Sequence, residues 1–176
     1  MARKVRYCVA MSLDGYIAGP DGEADWIVMD PEMDFGKLWA QFDMLLMGRR
    51  TFEAAVERFG ASAFQTMNIA VASRTLSSQD HRGITILSEL NRSEMKKLRQ
   101  QCRKDIWLMG GGELFRALLE MNEVDSVEVS TVPVLLGAGV PVLPKTDRRT
   151  TLKLRKHKVY PSGVVSLDYD LQVATS

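Results

Sequence analysis

Three short stretches concentrate residues able to hold an anion. "IWLMGGGELF" sets Gly110, Gly111 and Gly112 between an apolar run and an amphipathic helix pattern. "LLMGRRTFE" sets Gly48 at the end of another apolar run, followed by Arg49, Arg50 and Thr51. "NIAVASRTL" leaves Ser73 and Arg74 just past a third. Glycine lets a phosphate approach the backbone with no Cβ in the way. A helix N-terminus adds unpaired N–H donors and a positive dipole end, which stabilise an anion by about 0.3–1 kcal/mol. Two such termini can grip a pyrophosphate between them, and an arginine beside a hydroxyl suits a phosphate monoester. Plain strand-to-helix turns look the same locally. "GGGELF" does not fit G-x-G-x-x-G, and no P-loop lysine is present.

A fourth stretch, "VAMSLDGYIAGPDGEADW", reads as a long loop after the first strand, punctuated by Gly15, Gly19, Pro20 and Gly22. Long loops in compact domains are usually functional or disordered. Ala10, at the end of that strand, leaves room for a flat group to pack against it.

These residues need a scaffold, and hydropathy supplies its outline. Val5–Met11, Met44–Met47, Asn68–Ala72, Ile84–Leu87 and Ile106–Met109 are short apolar runs of the kind found in buried parallel strands. Helical patterns alternate with them. The spacing predicts a helix over Pro31–Phe42, with Asp30 as N-cap, Pro31 in the first turn, and Phe35, Leu38, Trp39 and Phe42 on one face. A second helix is expected over Thr51–Arg58. Asn91-x-x-Glu94 resembles a capping box ahead of Met95, Leu98 and Cys102. Leu114, Phe115, Leu118 and Leu119 mark a further apolar stripe. After Glu123 only strands are expected: "VDSVEVSTVPVLL", then a hairpin turning at Pro161-Ser162-Gly163. The expected fold class is α/β, with a mixed, mostly parallel sheet covered on both faces and an antiparallel C-terminal hairpin.

The 176 residues suit a single domain spanning 1–176, 45% apolar and 26% charged. Net charge is +1, which gives no electrostatic reason to expect nucleic acid or an anionic membrane. Two cysteines and two histidines without ligand spacing exclude the usual zinc sites. No run approaches a membrane span and the N-terminus lacks an apolar signal core, so a cytoplasmic protein is expected.

Taken together and in order, "AMSLDGYIA", "DMLLMGRRTFE", "IWLMGGGELFRALL" and "VPVLLGAGVPVLP" resemble the dihydrofolate reductase-like fold. They are most similar to the reductase (C-terminal) domain of the riboflavin-biosynthesis deaminase-reductases and its free-standing relatives. The resemblance implies a three-layer α/β/α domain, a homodimer and an NADPH-dependent hydride transfer. It implies that Gly48, Arg49, Arg50 and Thr51 meet the cofactor phosphates, and that Ser73 and Arg74 take the 2′-phosphate. Gly110, Gly111 and Gly112 would lie along the pyrophosphate and nicotinamide side. Ala10, Ile17 and Phe115 would sit near the nicotinamide ring, and Asp14 would shape the loop beside it. Glu113 stands where some dihydrofolate reductases carry an arginine, which leaves the 2′-phosphate to Arg49 and Arg74. A carboxylate on the first helix would supply the proton, with Asp34 preferred over Glu32 because it precedes the pocket-facing Leu38 by four residues.

Two departures bear on the substrate. The riboflavin-pathway reductases read K-x-A-x-S-L-D-G-K/R, whereas Cys8 and Tyr16 replace both basic residues here. Tyr16 and Trp26 suggest a flatter, less charged ligand. The H-x-E and P-C-x-x-C motifs of the zinc deaminases are absent, which excludes that activity. The reading is a reductase of a pyrimidine- or pteridine-like substrate. The resemblance assigns it to the riboflavin-type aminouracil reductase family, with dihydrofolate reductase and a nucleotide-binding protein without turnover as alternatives.

Overall fold

A computed structural model describes residues 3–60 and 67–172. Residues 1–2, 61–66 and 173–176 of the expected domain lie outside the described residues. The element order is β1 (Val5–Ser12), β2 (Tyr16–Ala18), α1 (Phe35–Trp39), β3 (Phe42–Gly48), α2 (Arg49–Phe59), β4 (Asn68–Ala72) and β5 (Ile84–Leu87). It continues with α3 (Arg92–Gln101), β6 (Asp105–Gly110), α4 (Gly112–Glu120), β7 (Ser126–Val132), β8 (Val140–Pro141), β9 (Leu152–Val159) and β10 (Val165–Leu171).

Eight strands form one sheet in the order β5-β4-β3-β6-β1-β7-β10-β9. The pairings from β5 to β7 are parallel, whereas β10 runs antiparallel to both β7 and β9. The central strands are apolar on both faces because helices cover both, as their continuous apolar runs require. Met44 and Leu46 turn one way, into a core with Tyr7, Leu108, Met95 of α3 and Phe115 of α4. Leu45 and Met47 turn the other way, toward Trp107, Phe52 of α2 and Leu38 of α1. Burying each of these side chains contributes about 1.5–3 kcal/mol.

The β4 and β5 ranges match expectation, and β1, β6 and β3 extend one, two and three residues beyond it. The N-cap of α3 holds as read, with the Asn91 side chain accepting from the Glu94 N–H at 3.0 Å. Three differences have local causes. The helix expected over Pro31–Phe42 shrinks to α1. Asp30 is no N-cap; its buried carboxylate accepts from the Glu32 and Ser162 N–H groups at 2.8 and 2.9 Å, a local side-chain bond that competes with helix. Asp34 caps α1 instead, accepting from the Lys37 N–H at 2.9 Å, and Phe42 opens β3. The strand expected over 124–136 narrows to β7, because Pro133 has no N–H to continue the ladder. The short β2–β8 pair was not expected: the loop after β1 folds back onto residues 140–141.

Candidate functional site

Because the strands from β5 to β7 are parallel, the ends of β1, β3, β4 and β6 share one edge. In an open α/β sheet, ligands bind outside that carboxyl edge. Two helices begin there. The N-cap of α2 is Gly48 and that of α4 is Gly111, and neither end is closed by a side-chain cap. Their N–H groups are left for another acceptor. The two ends adjoin: a Cβ built on Gly48 would stand 3.9 Å from the Gly110 oxygen and the Gly111 nitrogen, and one on Gly111 would stand 3.6 Å from the Thr51 hydroxyl.

The three glycines have different reasons for being glycine. Gly110 has φ of +101°, a conformation that other residues rarely adopt. Gly112 is buried, and a Cβ there would overlap the Pro141 carbonyl oxygen and reach Pro144 Cδ at 2.9 Å. Gly111 and Gly48 have ordinary φ values of −71° and −77° and room for a methyl group. The fold demands glycine at Gly110 and Gly112. At Gly111 and Gly48 it does not, and there a Cβ would occupy the cradle between the two helix ends.

Arg49 and Arg50 open α2 at this edge, and Arg74 follows the end of β4. Arg49 donates to Glu53 at 2.7 Å and to the Thr75 hydroxyl at 2.8 Å. Ser73 accepts from the Thr75 and Leu76 N–H groups at 3.2 and 3.1 Å, so the turn after β4 is held beside Arg49. Thr75 is the residue that sequence reasoning missed here, although it sits in the same "SRTL" stretch. Among the described residues, Arg50 and Arg74 have no ion pair, and both are exposed. The donor set of backbone N–H groups, arginines and hydroxyls fits a phosphorylated dinucleotide.

From the cradle, an open groove of about 2040 Å³ crosses the sheet face beside α1 and α2. That is larger than the roughly 300–1,000 Å³ of a single small-ligand pocket. It gathers Ala10, Ile17, Arg50, Thr51, Gly111 and Leu38 of the expected residues, with Glu32 and Asp34 on its wall. Several expected residues lie elsewhere. Phe115 is buried on the opposite face, stacked on Tyr7 with ring centroids 3.9 Å apart, where it anchors α4. Tyr16 and Trp26 do not line the groove. Asp14 instead ties the loop after β1 to the segment before β8, accepting from the Ser12 hydroxyl at 2.6 Å and the Gly137 N–H at 2.7 Å. These bonds hold its carboxyl below the usual range.

The two rim carboxylates differ. The Lys37 side chain and N–H hold the Asp34 carboxyl below its ordinary value, with Lys37 Nζ at 2.8 Å. Glu32 faces Lys158 Nζ at 3.8 Å. The groove floor carries a second charged group that the sequence reading passed over. Arg6 grips Glu128 with two hydrogen bonds of 2.7 Å, and both side chains are about nine-tenths buried. Burial alone would raise the Glu128 carboxyl, but Arg6, Ser126 and Arg155 outweigh it and hold the group below its ordinary value. The missed signal was period-two polarity: Ser126, Glu128 and Ser130 alternate with valines along β7, and Ser166, Asp168 and Asp170 alternate along β10.

This architecture and site define a dihydrofolate reductase-like α/β fold of the reductase-domain type. The profile described as RibD C-terminal domain matches residues 3–166, and the chain belongs to that family. It is 33% identical over 178 residues to YyaP of Bacillus subtilis strain 168, covering 95% of this chain and 94% of that protein. It is 29% identical to YwjB of the same organism, covering 93% and 96%. Both relatives are named as uncharacterized. Among solved structures, a Shewanella sp. PV-4 protein assigned provisionally by name to riboflavin biosynthesis superposes with a TM-score of 0.81 at 23% identity, covering 98% of this chain and 100% of that one. Acinetobacter baumannii RibD superposes with a TM-score of 0.76 at 18% identity, covering 98% of this chain and 59% of that one. A pyrimidine reductase-like protein of Corynebacterium diphtheriae gives 0.71 at 15% identity, covering 97% and 92%. At these identities the structures establish the fold. Among the described residues, no helix is long and apolar enough to cross a membrane.

Proposed function

We propose that the protein is an NADPH-dependent reductase of a pyrimidine- or pteridine-like substrate, nearest in kind to the 5-amino-6-(5-phosphoribosylamino)uracil reductases. The observation that carries this reading is the cradle between the uncapped starts of α2 and α4, where Gly111 and Gly48 leave space that the fold does not need. Their N–H groups, Thr51 and Arg50 would bind the cofactor phosphates. Arg49, Ser73 and Arg74 would take the 2′-phosphate at the end of β4. NADPH, when bound, supplies the hydride. Ala10, Ile17 and Gly111 would orient the nicotinamide toward the acceptor and help exclude water. Asp34 and Glu32, on the groove wall, would pass a proton through water to the acceptor. Asp34, held ionised by Lys37, would relay a proton rather than store one.

Cys8 and Tyr16 replace two basic residues of the riboflavin-pathway motif, which removes charges that would serve a phosphoribosyl group and keeps dihydrofolate as the second reading. Arg49→Ala and Arg74→Ala are each expected to weaken NADPH more than NADH in a calorimetric titration. Equal weakening of the two would refute the 2′-phosphate assignment. Turnover of either substrate followed at 340 nm separates an enzyme from a protein that only binds the nucleotide.

A further inference from the structure

The groove continues past Ala10, and sheet register fixes what its floor presents. Ala10 pairs with Ser130, and Ser130 with Ser166. Two residues back, the row reads Cys8, Glu128, Asp168. At about 4.8 Å per strand, β10 lies about 10 Å across the sheet from Ala10. All of these residues line the groove.

The two carboxylates in the second row differ in how they are satisfied. Glu128 is filled by Arg6, by the Ser126 hydroxyl at 2.9 Å and by Arg155 at 3.3 Å. Asp168 is not. Its side chain is 25% exposed, and its nearest cation, Arg155, stands 3.9 Å away, beyond hydrogen-bond length. Among the described residues no donor hydrogen-bonds to it. Burial and the neighbouring Glu128 charge raise its proton affinity. A groove-facing carboxylate with no protein donor has its acceptor capacity available, and a ligand with N–H donors would use it. Beside it, the Ser130 and Ser166 hydroxyls lie 2.9 Å apart, each with capacity for a further bond.

We propose that Asp168, with the Ser130–Ser166 pair, recognises the N–C–N edge of a 2-aminopyrimidine-type ring, with the ring lying over β7 and β10. In a 2-amino-4-oxo ring the amino group and the ring N3–H present two parallel donors that match the two oxygens of one carboxylate. The hydroxyl pair serves the adjacent ring heteroatoms, and the far side of the ring points back toward Ala10. This rests on the reductase reading, because a nicotinamide at Ala10 is what makes β10 the substrate end, and it selects the 2-amino ring of a pteridine-like substrate over the 2-oxo ring of an aminouracil.

The test uses the NADPH-loaded wild-type protein and two probes. Pterin carries the 2-amino edge, and 4-oxopteridine lacks it. Calorimetry is expected to show pterin binding at least tenfold more tightly. Asp168→Asn should weaken pterin by about tenfold or more while leaving the NADPH affinity within about twofold. Equal affinity for the two pteridines, or unchanged pterin binding in Asp168→Asn, overturns the proposal. The wild-type comparison needs no variant, so a folding defect cannot obscure it. If NADPH binds and pterin does not, this proposal alone fails. If NADPH itself does not bind, the reductase reading fails and the proposal falls with it.

Discussion

Replacing Gly111 by alanine separates the fold from the ligand site. The new Cβ would lie 3.6 Å from the Thr51 hydroxyl, an ordinary contact, and φ of −71° suits any residue. Alanine is a poorer N-cap than glycine, but it also narrows the unfolded ensemble by about 0.4–1 kcal/mol. The two effects oppose each other, so the stability change should stay within about 1 kcal/mol, or about 2–4 °C in Tm for a chain of this size. The ligand meets a different situation. A phosphate oxygen must approach the N–H groups at 2.7–2.9 Å, and a methyl group between the two helix starts blocks that approach. Losing one hydrogen bond to a charged group costs about 1.5–3 kcal/mol, which weakens NADPH roughly 10- to 150-fold. Thermal unfolding and calorimetric titration of the same preparation read both quantities. Gly112→Ala is the control: overlap with Pro141 should cost about 1–3 kcal/mol or more and show first as lost stability. A stable Gly111→Ala protein that binds NADPH within twofold of wild type would show that the phosphates do not lie in this cradle.

Arg6→Ala takes both 2.7 Å bonds from buried Glu128 and leaves it Ser126 and Arg155, so it should lower the unfolding free energy by about 1.5–3 kcal/mol in urea titration. The double replacement Arg6→Met with Glu128→Leu should recover more than half of that loss, and no recovery would count against the ion pair as the cause. Glu128 titrates below its ordinary value of 4.5 in the folded protein. Its contribution is therefore fully present above pH 4.5 and is lost as pH falls through the lower folded value; stability that stays flat on acidification through this range would contradict the pairing. Burial raises both thiols, Cys8 well above its ordinary value and Cys102 to about 12. Both should react slowly with a chromogenic disulfide at pH 8 in the native protein and rapidly in urea; fast native labelling of either would show that its surroundings are open.

The cradle was legible in the sequence because glycine, arginine and hydroxyl residues cluster at the ends of apolar runs, and the parallel sheet brings those ends to one edge. Ala10 and Thr51 come to the groove for the same reason, whereas Ile17 reaches it on the β2–β8 pair and Leu38 on α1. Phe115 was misplaced because helical phase at the start of α4 turns it onto Tyr7 in the core, away from the groove. The acids near α1 were harder to read, since Asp30 and Asp34, four residues apart, can each cap a helix, and Asp30 is committed to Ser162, 132 residues away. The charged floor was missed for a different reason. Arg6, Glu128 and Asp168 meet only through strand pairing, and in the linear sequence each looks like one polar residue on a half-buried strand.

The most direct measurement is a calorimetric titration of the wild-type chain with NADPH and, separately, with NADH. The expected result is saturable binding of NADPH, at least about tenfold tighter than NADH, from the added contacts of the 2′-phosphate. The absence of saturable binding by either nucleotide would contradict the reductase assignment.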